Sequence, residues 1–329
     1  MKTNLDIDGK IRIGLWRKFP PVCPKKAEKK TDLIFPSARQ ALSIALKLYG
    51  LGRENRIAVP EWSSHCVISA IGRICMPIPL REVIDHDIKV DGVLLYEQWG
   101  WPIIENAKAE ITERFKGSLI ILDRVDSADI DNKKRIKFYP ENDEFEVSSL
   151  SKILGLPGGG LLMVNGKQKK FKTNSSDFFI SKELVKIKNN KKILNLYKNE
   201  IEFLHPDLRF WLEGNDLFGA VKQENMDREN NLRAILMDKS SQGWGEWMRR
   251  AIENGSRPGI VPLLVGSPIS KMNKAKEILR KKFDTESEIY HFNWSGNPMK
   301  PDYRECLAFP VNGSVENMTT ILKKINKIN

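Results

Sequence analysis

Apolar and polar residues alternate along this chain in blocks that predict amphipathic helices and short buried strands. The segment 38–49 is rich in Ala, Ile and Leu with few polar interruptions, which predicts a buried helix. Pro36 and Ser37 precede this segment, and Gly50 and Gly52 follow it, as expected for the start and the stop of a helix.

The next apolar segments are short and lie between helical patterns. They predict strands at 57–59, 76–80, 93–96 and 119–122 and helices at 66–73 and 103–115. Such alternation is typical of a mainly parallel sheet with helices on both faces. A further apolar strand is expected at 161–164, after a run of three glycines that allows a tight turn.

The remainder of the chain predicts a second, smaller unit. The lysine-rich stretch to about residue 200 is interpreted as surface helices and loops, and a helix at 227–237 is expected to link two domains. Strands at 261–265, 289–292 and 306–311 with helices at 271–281 and 315–325 suit a small α+β domain. We therefore expect an N-terminal arm and large domain over 1–225, and a linking helix and small C-terminal domain over 226–329.

Composition supports a folded protein and narrows its partners. The 329 residues are 41% hydrophobic and 29% charged, which is ordinary globular usage. The net charge of +12 invites a nucleic-acid partner, but the lysines occur in runs such as 25–30 and 167–172, and no RNA-binding aromatic motif or zinc-finger spacing is present. We interpret the charge as solvated surface that remains compatible with an anionic small-molecule substrate, without a nucleic-acid polymer as partner.

The cysteines and the N-terminus indicate a cytoplasmic protein. The four cysteines are widely spread and form no CxxC pair, which disfavours a metal site and a disulfide framework. The first ten residues are polar, and no apolar run approaches the roughly 20 residues that span a bilayer. No metal and no membrane partner are therefore expected.

Three separated features carry the candidate chemistry, and the first is the start of the helix at 38–49. A helix N-terminus exposes backbone amides and a positive dipole end, so this position favours an anion. Ser37 and Arg39 would add side-chain donors to a phosphate. The alternative is an ordinary serine N-cap with a surface arginine beside it.

The second feature is the strand 119–122, which is followed directly by Asp123. Ligands of open α/β sheets lie outside the carboxyl ends of the strands, so this carboxylate is placed for chemistry. It would pair with a protonated ring nitrogen of a cofactor and keep that ring electron-withdrawing. The alternative is that Asp123 caps a turn or a helix.

The third feature is Lys152, which stands among small hydroxyl residues and glycines. Ser148, Ser149 and Ser151 precede it, and the glycines at 158–160 follow it just before the predicted strand. A lysine that forms a Schiff base needs a depressed pKa, and enclosure beside a cationic ring would supply it. Ser149 is the side chain expected to help bind a phosphate.

The order of these features resembles the fold-type I pyridoxal-phosphate enzymes, and most closely the DegT-type sugar aminotransferases. Members open with a helix like the one at Ser37, followed by a strand and a proline such as Pro60, and by a glycine after the next strand, here Gly100. An acid-bearing strand and a lysine before a Gly-Gly turn come next. The segment 301–310 and the final helix also look like that family's small domain, so the resemblance runs from about residue 32 to the C-terminus.

This resemblance implies an aspartate-aminotransferase-like (fold-type I) large α/β domain with a mainly parallel sheet, a small C-terminal α+β domain, and pyridoxal phosphate as cofactor. Lys152 and Asp123 would be the catalytic residues, with Lys152 as Schiff-base former and general acid/base. The expected cofactor-binding residues are Ser37, Ala38, Arg39, Trp62, His65, Asp123, Asp126, Ser149 and Lys152. Trp62 and His65 are the two candidates for a ring stacked on the cofactor, and Trp62 is alternatively a core residue.

Three positions depart from the family pattern. Members usually have Gly at Ala38, and Gln or His at Asp126, where an ionised carboxylate cannot donate to the cofactor's phenolate oxygen. The family's phosphate-binding hydroxyl commonly lies at the position of Val147, so Ser148 or Ser149 must substitute. Either the phenolate contact is lost, or substrate handling differs.

The resemblance also implies the reaction and the assembly. The expected activity moves an amino group from glutamate to a nucleotide-linked keto-sugar, for surface-polysaccharide or deoxyamino-sugar biosynthesis, in a homodimer. Lys222, Arg228 and Arg233 would hold a diphosphate, or else form a solvated helix face. The rivals are another fold-type I chemistry, such as a lyase or a desulfurase, and a noncatalytic relative. Cys66 and Cys306 have apolar neighbours that favour inert packing over the reactive cysteine of a desulfurase.

Overall fold

A computed structural model describes residues 23, 34–128, 142–164, 204–285, 287–313 and 318–328 of the chain. The predicted lysine-rich surface stretch before residue 200 lies almost wholly outside these residues. The strands are β1 Ile34–Phe35, β2 Arg56–Val59, β3 Met76–Pro79, β4 Gly92–Tyr96, β5 Leu119–Asp123, β6 Glu144–Ser149, β7 Gly160–Val164, β8 Ile260–Leu263, β9 Glu288–Asn293 and β10 Tyr303–Pro310. The helices are α1 Ala38–Leu48, α2 His65–Gly72, α3 Leu80–Asp85, α4 Glu105–Arg114, α5 Leu150–Ile153, α6 Pro206–Gly214, α7 Leu217–Leu236, α8 Glu246–Glu253, α9 Ile269–Phe283 and α10 Met318–Asn326.

Seven strands form the large sheet in the order β1-β7-β6-β5-β4-β2-β3. The five strands β3, β2, β4, β5 and β6 are parallel, and β7 pairs antiparallel with both β6 and the edge strand β1. Apolar residues cover both faces, with α1 and α2 packed on one face and α3 and α4 on the other. The predicted mainly parallel α/β sheet is therefore confirmed, and its parallel strands all end at one edge.

The small sheet is antiparallel, in the order β8-β10-β9. It packs with α7 to α10 around a core that also includes Trp99 and Trp101 from the loop after β4. Trp101 donates its indole N–H to the carbonyl of Ile260, at 3.0 Å. Aromatic side chains of the large domain thus form part of the small domain's core and hold the two units together.

Helix α7 is the connection between the two sheets, and it begins ten residues before the predicted linking helix. Asp216 caps it by accepting a hydrogen bond from the Phe218 amide at 3.1 Å. The prediction of a solvated face is wrong for Arg228, which is fully buried beside Glu224 at 2.6 Å. Arg233, one turn further along, is exposed and pairs with Glu229. The domain boundary proposed at 225/226 falls inside α7 and stays a prediction.

Strand β6 is an element that the sequence pattern does not reveal. Glu144, Glu146 and Ser148 point to one face and are buried, although their types are those of an exposed strand. Arg124 compensates for part of this buried charge, because its guanidinium lies 3.1 Å from Glu146 and 2.6 Å from Glu97. A charged partner on a neighbouring strand end therefore makes an acidic central strand stable.

Candidate active site

The carboxyl edge of the large sheet brings Asp123 and Tyr96 side by side. They are the last residues of β5 and β4, and the two parallel strands pair them in register. Asp123 is buried, and its Oδ1 accepts the Val125 amide at 3.3 Å. Burial raises the pKa of Asp123 from 3.8 to about 6, against the opposing effect of the Lys152 charge, and the neighbouring Asp126 raises it further.

The glycine turn before β7 fastens the start of α1 to the segment that bears Lys152. The Gly159 amide donates to the Pro36 carbonyl at 2.8 Å, and the Leu150 amide donates to the Gly159 carbonyl at 2.9 Å. A Cβ at Gly160 would lie 2.3 Å from the Ser37 carbonyl oxygen. Only glycine allows this approach, so the N-terminus of α1 and the lysine segment are held together by the turn.

Ser37 is the N-cap of α1, where its Oγ accepts the Gln40 amide at 3.3 Å. The remaining amides of the first turn, including that of Ala38, provide the positive end of an 11-residue helix. Arg39 is exposed at this end. The cap interpretation of Ser37 and the anion-site interpretation are thus compatible, and the phosphate roles of these three residues stay predictions.

The alternation of β6 separates the two serines that compete for a phosphate role. Val147 belongs to the core under α1, so Ser149, two residues later, lies on that same face. Ser149 Oγ is 2.9 Å from Ser151 Oγ and beside Gly160 in the strand pairing. Ser148 points to the opposite face. The geometry favours Ser149 over Ser148 as a donor near the start of α1.

Lys152 lies in α5, and its Nζ is 3.4 Å from Oδ2 of Asp126. Burial lowers the pKa of Lys152, but Asp126, Asp123 and, more weakly, Cys66 outweigh burial and raise it above its ordinary value. Half of the side-chain surface is exposed, so solvent screens these charges. The expected depression of this pKa is therefore not produced by the protein groups, and would have to come from a cationic cofactor ring.

Two residues that the sequence reasoning missed complete this cluster. Tyr96 donates its hydroxyl to Oδ2 of Asp126 at 3.0 Å. Burial raises the pKa of Tyr96 well above its ordinary range, and the Asp126 and Asp123 charges act in the same direction. From the small domain, Asn312 is buried and donates its amide to the Lys152 carbonyl at 3.4 Å. The position of Tyr96 at the end of a predicted strand is the sequence feature that could have identified it as a candidate site residue.

The fully buried Arg228 connects this cluster to the small domain. Its Nη1 donates to the backbone carbonyl of Asp126 at 2.7 Å and to that of Arg257 at 2.9 Å. Its Glu224 partner accepts the Gly313 amide at 3.1 Å. The loop that bears Asp126 is therefore held in place by a charge-assisted network that includes residues of both sheets.

The two predicted ring-stacking residues lie in the loop after β2 and at the first turn of α2. Trp62 is about half exposed and stacks on His291 of the small domain, with ring centroids 4.4 Å apart. His65 is exposed at the first position of α2. The position of neither residue tests whether it stacks on a cofactor ring, so this role stays a prediction.

Cys66 is exposed, so the expectation of inert packing is wrong for it, whereas Cys306 is buried as expected.

These residues fit a flat anionic cofactor with a basic ring nitrogen. The start of α1 and Ser149 would provide donors for a phosphate, Asp123 would provide the acid for the ring nitrogen, and Lys152 would provide an amine. A sheet whose carboxyl edge gathers this set beside a small antiparallel domain has the arrangement expected of a fold-type I pyridoxal-phosphate enzyme.

The family follows from a comparison with known sequence families. A family model described as "Putative PLP-dependent aminotransferase" matches residues 25–327. The chain belongs to this family, and it is a pyridoxal-phosphate-dependent aminotransferase. A comparison with curated proteins gives no match.

Solved structures with a similar fold include DesV and two proteins described as aminotransferases. DesV of S. venezuelae, solved with a ketimine intermediate, is 14% identical with a TM-score of 0.52, over 91% of this chain and 84% of DesV. "Putative sugar aminotransferase Spr1654" of Streptococcus pneumoniae in its PMP form is 11% identical with a TM-score of 0.52, over 91% of this chain and 87% of that one. A DegT DnrJ EryC1 StrS aminotransferase from Brucella abortus is 11% identical with a TM-score of 0.52, over 90% of this chain and 85% of that one.

The part of the chain that the structure describes has neither a membrane-spanning helix nor a metal-ligand cluster. None of its helices is long and apolar enough to cross a membrane. Within the same residues, no group of three or more His, Cys, Asp and Glu side chains is arranged to hold a metal ion.

Proposed function

We propose that this aminotransferase moves the amino group of glutamate to the keto group of a nucleotide-linked sugar. The order of its motifs resembles the DegT-type sugar aminotransferases, and Spr1654, one of the proteins with a similar fold, is described as a sugar aminotransferase. The substrate assignment rests on this likeness. A cytoplasmic location accompanies it as a prediction.

The observation that carries the catalytic part of the proposal is the cluster at the carboxyl edge of the large sheet. Lys152 Nζ lies 3.4 Å from Asp126 and interacts electrostatically with Asp123. A primary amine in this position can bond to the cofactor's aldehyde and, once displaced by an amino donor, can accept and return a proton. Lys152 is thus both the attachment point and the proton carrier.

The other residues bind and orient. When bound, pyridoxal phosphate withdraws electrons from the bond that is broken in the amino donor. Asp123 would hold the protonated ring nitrogen, and an ion pair there would oppose the rise in its pKa that burial causes. The first-turn amides of α1 and the Ser149 hydroxyl would bind the phosphate. Together these contacts fix the cofactor at both ends beside Lys152.

We also propose that the active enzyme is a homodimer. Fold-type I enzymes normally build each site at a subunit interface, and half of the Lys152 side chain is exposed in the single chain. A partner subunit would cover this surface and exclude water from the reaction. Light scattering of the cofactor-loaded protein measures the mass of the assembly. A monomer that is fully active would refute the proposal of a homodimer.

The function is tested first by absorbance. The wild type with added pyridoxal phosphate should show the long-wavelength band of the lysine-bound cofactor, and Lys152→Ala should lose that band and all transamination. Glu105→Ala, an exposed change on α4, serves as the matched control and should leave both unchanged. A wild type that binds no cofactor, or a Lys152→Ala variant that keeps the band, would contradict the proposal.

The amino donor and the acceptor are tested separately. Glutamate should bleach the band of the wild type in the absence of any acceptor. A panel of nucleotide-linked keto-sugars should then restore the band for at least one member, with formation of the amino-sugar detected by mass spectrometry. Absence of bleaching with glutamate and with other amino donors would favour a lyase reaction on the same scaffold.

A further inference from the structure

Asp126 stands where related enzymes have Gln or His, and the structure shows what holds its carboxylate. One oxygen, Oδ2, receives the Tyr96 hydroxyl at 3.0 Å and faces Lys152 Nζ at 3.4 Å. The side chain is almost fully buried. Oδ2 of Asp126 is therefore the acceptor in both contacts, and the Tyr96 hydroxyl and the Lys152 amine meet at the same oxygen.

Tyr96 is positioned to act through Asp126. It ends β4 beside Asp123, and its oxygen accepts the Trp99 amide at 3.4 Å. With that amide on its oxygen, the single hydroxyl proton is directed to Asp126. Trp99 is itself in the left-handed region at φ 60°, and this turn places the amide over the hydroxyl. Tyr96 therefore has a defined orientation toward Asp126.

The backbone of Asp126 is fixed as firmly as its side chain. The fully buried Arg228 donates to the Asp126 carbonyl at 2.7 Å. The loop consequently cannot turn its carboxylate away from the lysine without breaking a charge-assisted hydrogen bond. Backbone and side chain are thus restrained independently, by α7 and by β4.

We propose that Asp126 is the charge partner of the Lys152 amine during the reaction, and that Tyr96 is the positioning residue that keeps this carboxylate aimed at the amine. This assignment rests on the proposed role of Lys152 and deepens it. Lys152 takes up one proton as a neutral amine, is held as an ammonium by Asp126, and releases the same proton within the turnover. No net proton or electron is gained by the protein.

Other charges near the amine do not replace this pair. Among the described residues, the groups that act on Lys152 are Asp126, Asp123 and Cys66, and those that act on Tyr96 are Asp126 and Asp123. Asp123 is committed to the ring nitrogen under the proposed function. Asp126 is therefore the carboxylate that remains for the lysine when the cofactor is bound.

The proposal is tested by measuring the protonation of Lys152 itself. In enzyme loaded with pyridoxamine phosphate the lysine is a free amine, and only its neutral form reacts with acetic anhydride. The yield of acetylated Lys152, measured by peptide mass spectrometry across the pH range, gives the midpoint of its titration. The variants are Asp126→Gln, which restores the residue type of the related enzymes, Tyr96→Phe, and the two combined, with Asp126→Asn as a second variant should the glutamine not fold.

We expect Asp126→Gln to lower the labelling midpoint by about one pH unit, because an ammonium loses a nearby negative charge. Tyr96→Phe should lower it by less, since the carboxylate stays in place but loses the hydroxyl that holds Oδ2 toward the amine. Tyr96→Phe in the Asp126→Gln background should have no further effect. The acid limb of the pH dependence of kcat should move in the same direction, while KM for glutamate changes little.

Two results would overturn the proposal. One is an unchanged midpoint in both Asp126→Gln and Asp126→Asn. The other is a shift by Tyr96→Phe that is equal with and without Asp126, since Tyr96 would then act on its own. Acetylation requires no keto-sugar, so a failed acceptor screen would refute the proposed substrate and leave this result intact.

Discussion

Replacing Asp123 by Asn should make the cofactor-free protein more stable at neutral pH while it abolishes the use of pyridoxal phosphate. The side chain is buried at the end of β5, and burial raises its pKa from 3.8 to about 6. An asparagine of the same shape keeps the acceptor for the Val125 amide and removes the buried charge. The residue is thus placed for function at a cost in stability.

The size of this stability change and its pH window follow from the pKa values of Asp123 in the unfolded and the folded protein. The folded state binds the proton more tightly than the unfolded state, so Asp123 favours folding at low pH, and this contribution is lost as the pH rises from about 4 to about 6. A pKa that is raised by about two pH units corresponds to a free-energy difference of roughly 3 kcal/mol between the two protonation states. We expect Asp123→Asn to recover about 1 to 3 kcal/mol at pH 7.5 and very little at pH 4.5.

Urea unfolding of the cofactor-free proteins at these two pH values is the assay. Asp85→Asn on α3 is the matched control, because its carboxylate is exposed and should change the stability by less than about 0.5 kcal/mol at either pH. An Asp123→Asn variant that is less stable than the wild type at pH 7.5, or equally shifted at both pH values, would refute the reasoning. Addition of pyridoxal phosphate should then stabilise the wild type far more than the variant.

Two further predictions concern stability. Gly160→Ala should cost about 2 to 4 kcal/mol and weaken cofactor binding, because the added Cβ would collide with the Ser37 carbonyl; Gly214→Ala has open space and should be neutral within about 0.5 kcal/mol in the same urea titration. Arg228→Leu should cost about 3 to 5 kcal/mol by stranding a buried carboxylate, whereas Arg233→Leu, in an exposed pair of the same spacing on the same helix, should cost less than about 1 kcal/mol. Equal losses for either pair of variants in thermal or urea unfolding would contradict these assignments.

The site was predictable where its residues are marked by local chain features. Asp123 follows directly on an apolar strand, and Lys152 precedes a glycine run, so position alone indicated both. Their pKa values were not predictable in this way. The pKa of Lys152 depends on carboxylates that the chain brings to it from other strand ends, and the direction expected from sequence differs from the one that these neighbours produce.

Tyr96 and Asn312 show a second limit. Tyr96 looks like the last residue of an ordinary apolar strand, and its hydroxyl donates to Asp126, 30 residues later. Asn312 lies 160 residues from the lysine whose carbonyl it contacts. Likewise, Trp62 stacks on a histidine of the small domain that no local pattern connects to it. The tertiary structure decides such pairs, through neighbouring strand ends of the large sheet for Tyr96 and through contact between the two domains for Asn312 and Trp62.

By itself, the sequence determined the class of fold, the order of its elements and the residues at its strand ends. Apolar periodicity, prolines and glycines act over a few residues, so the elements that they specify can be predicted from the sequence. Only the tertiary structure decided that the acidic β6 is a central strand and that Arg228 is buried. A charged side chain can be buried only where a distant partner offsets its lost hydration, and folding alone brings that partner into contact.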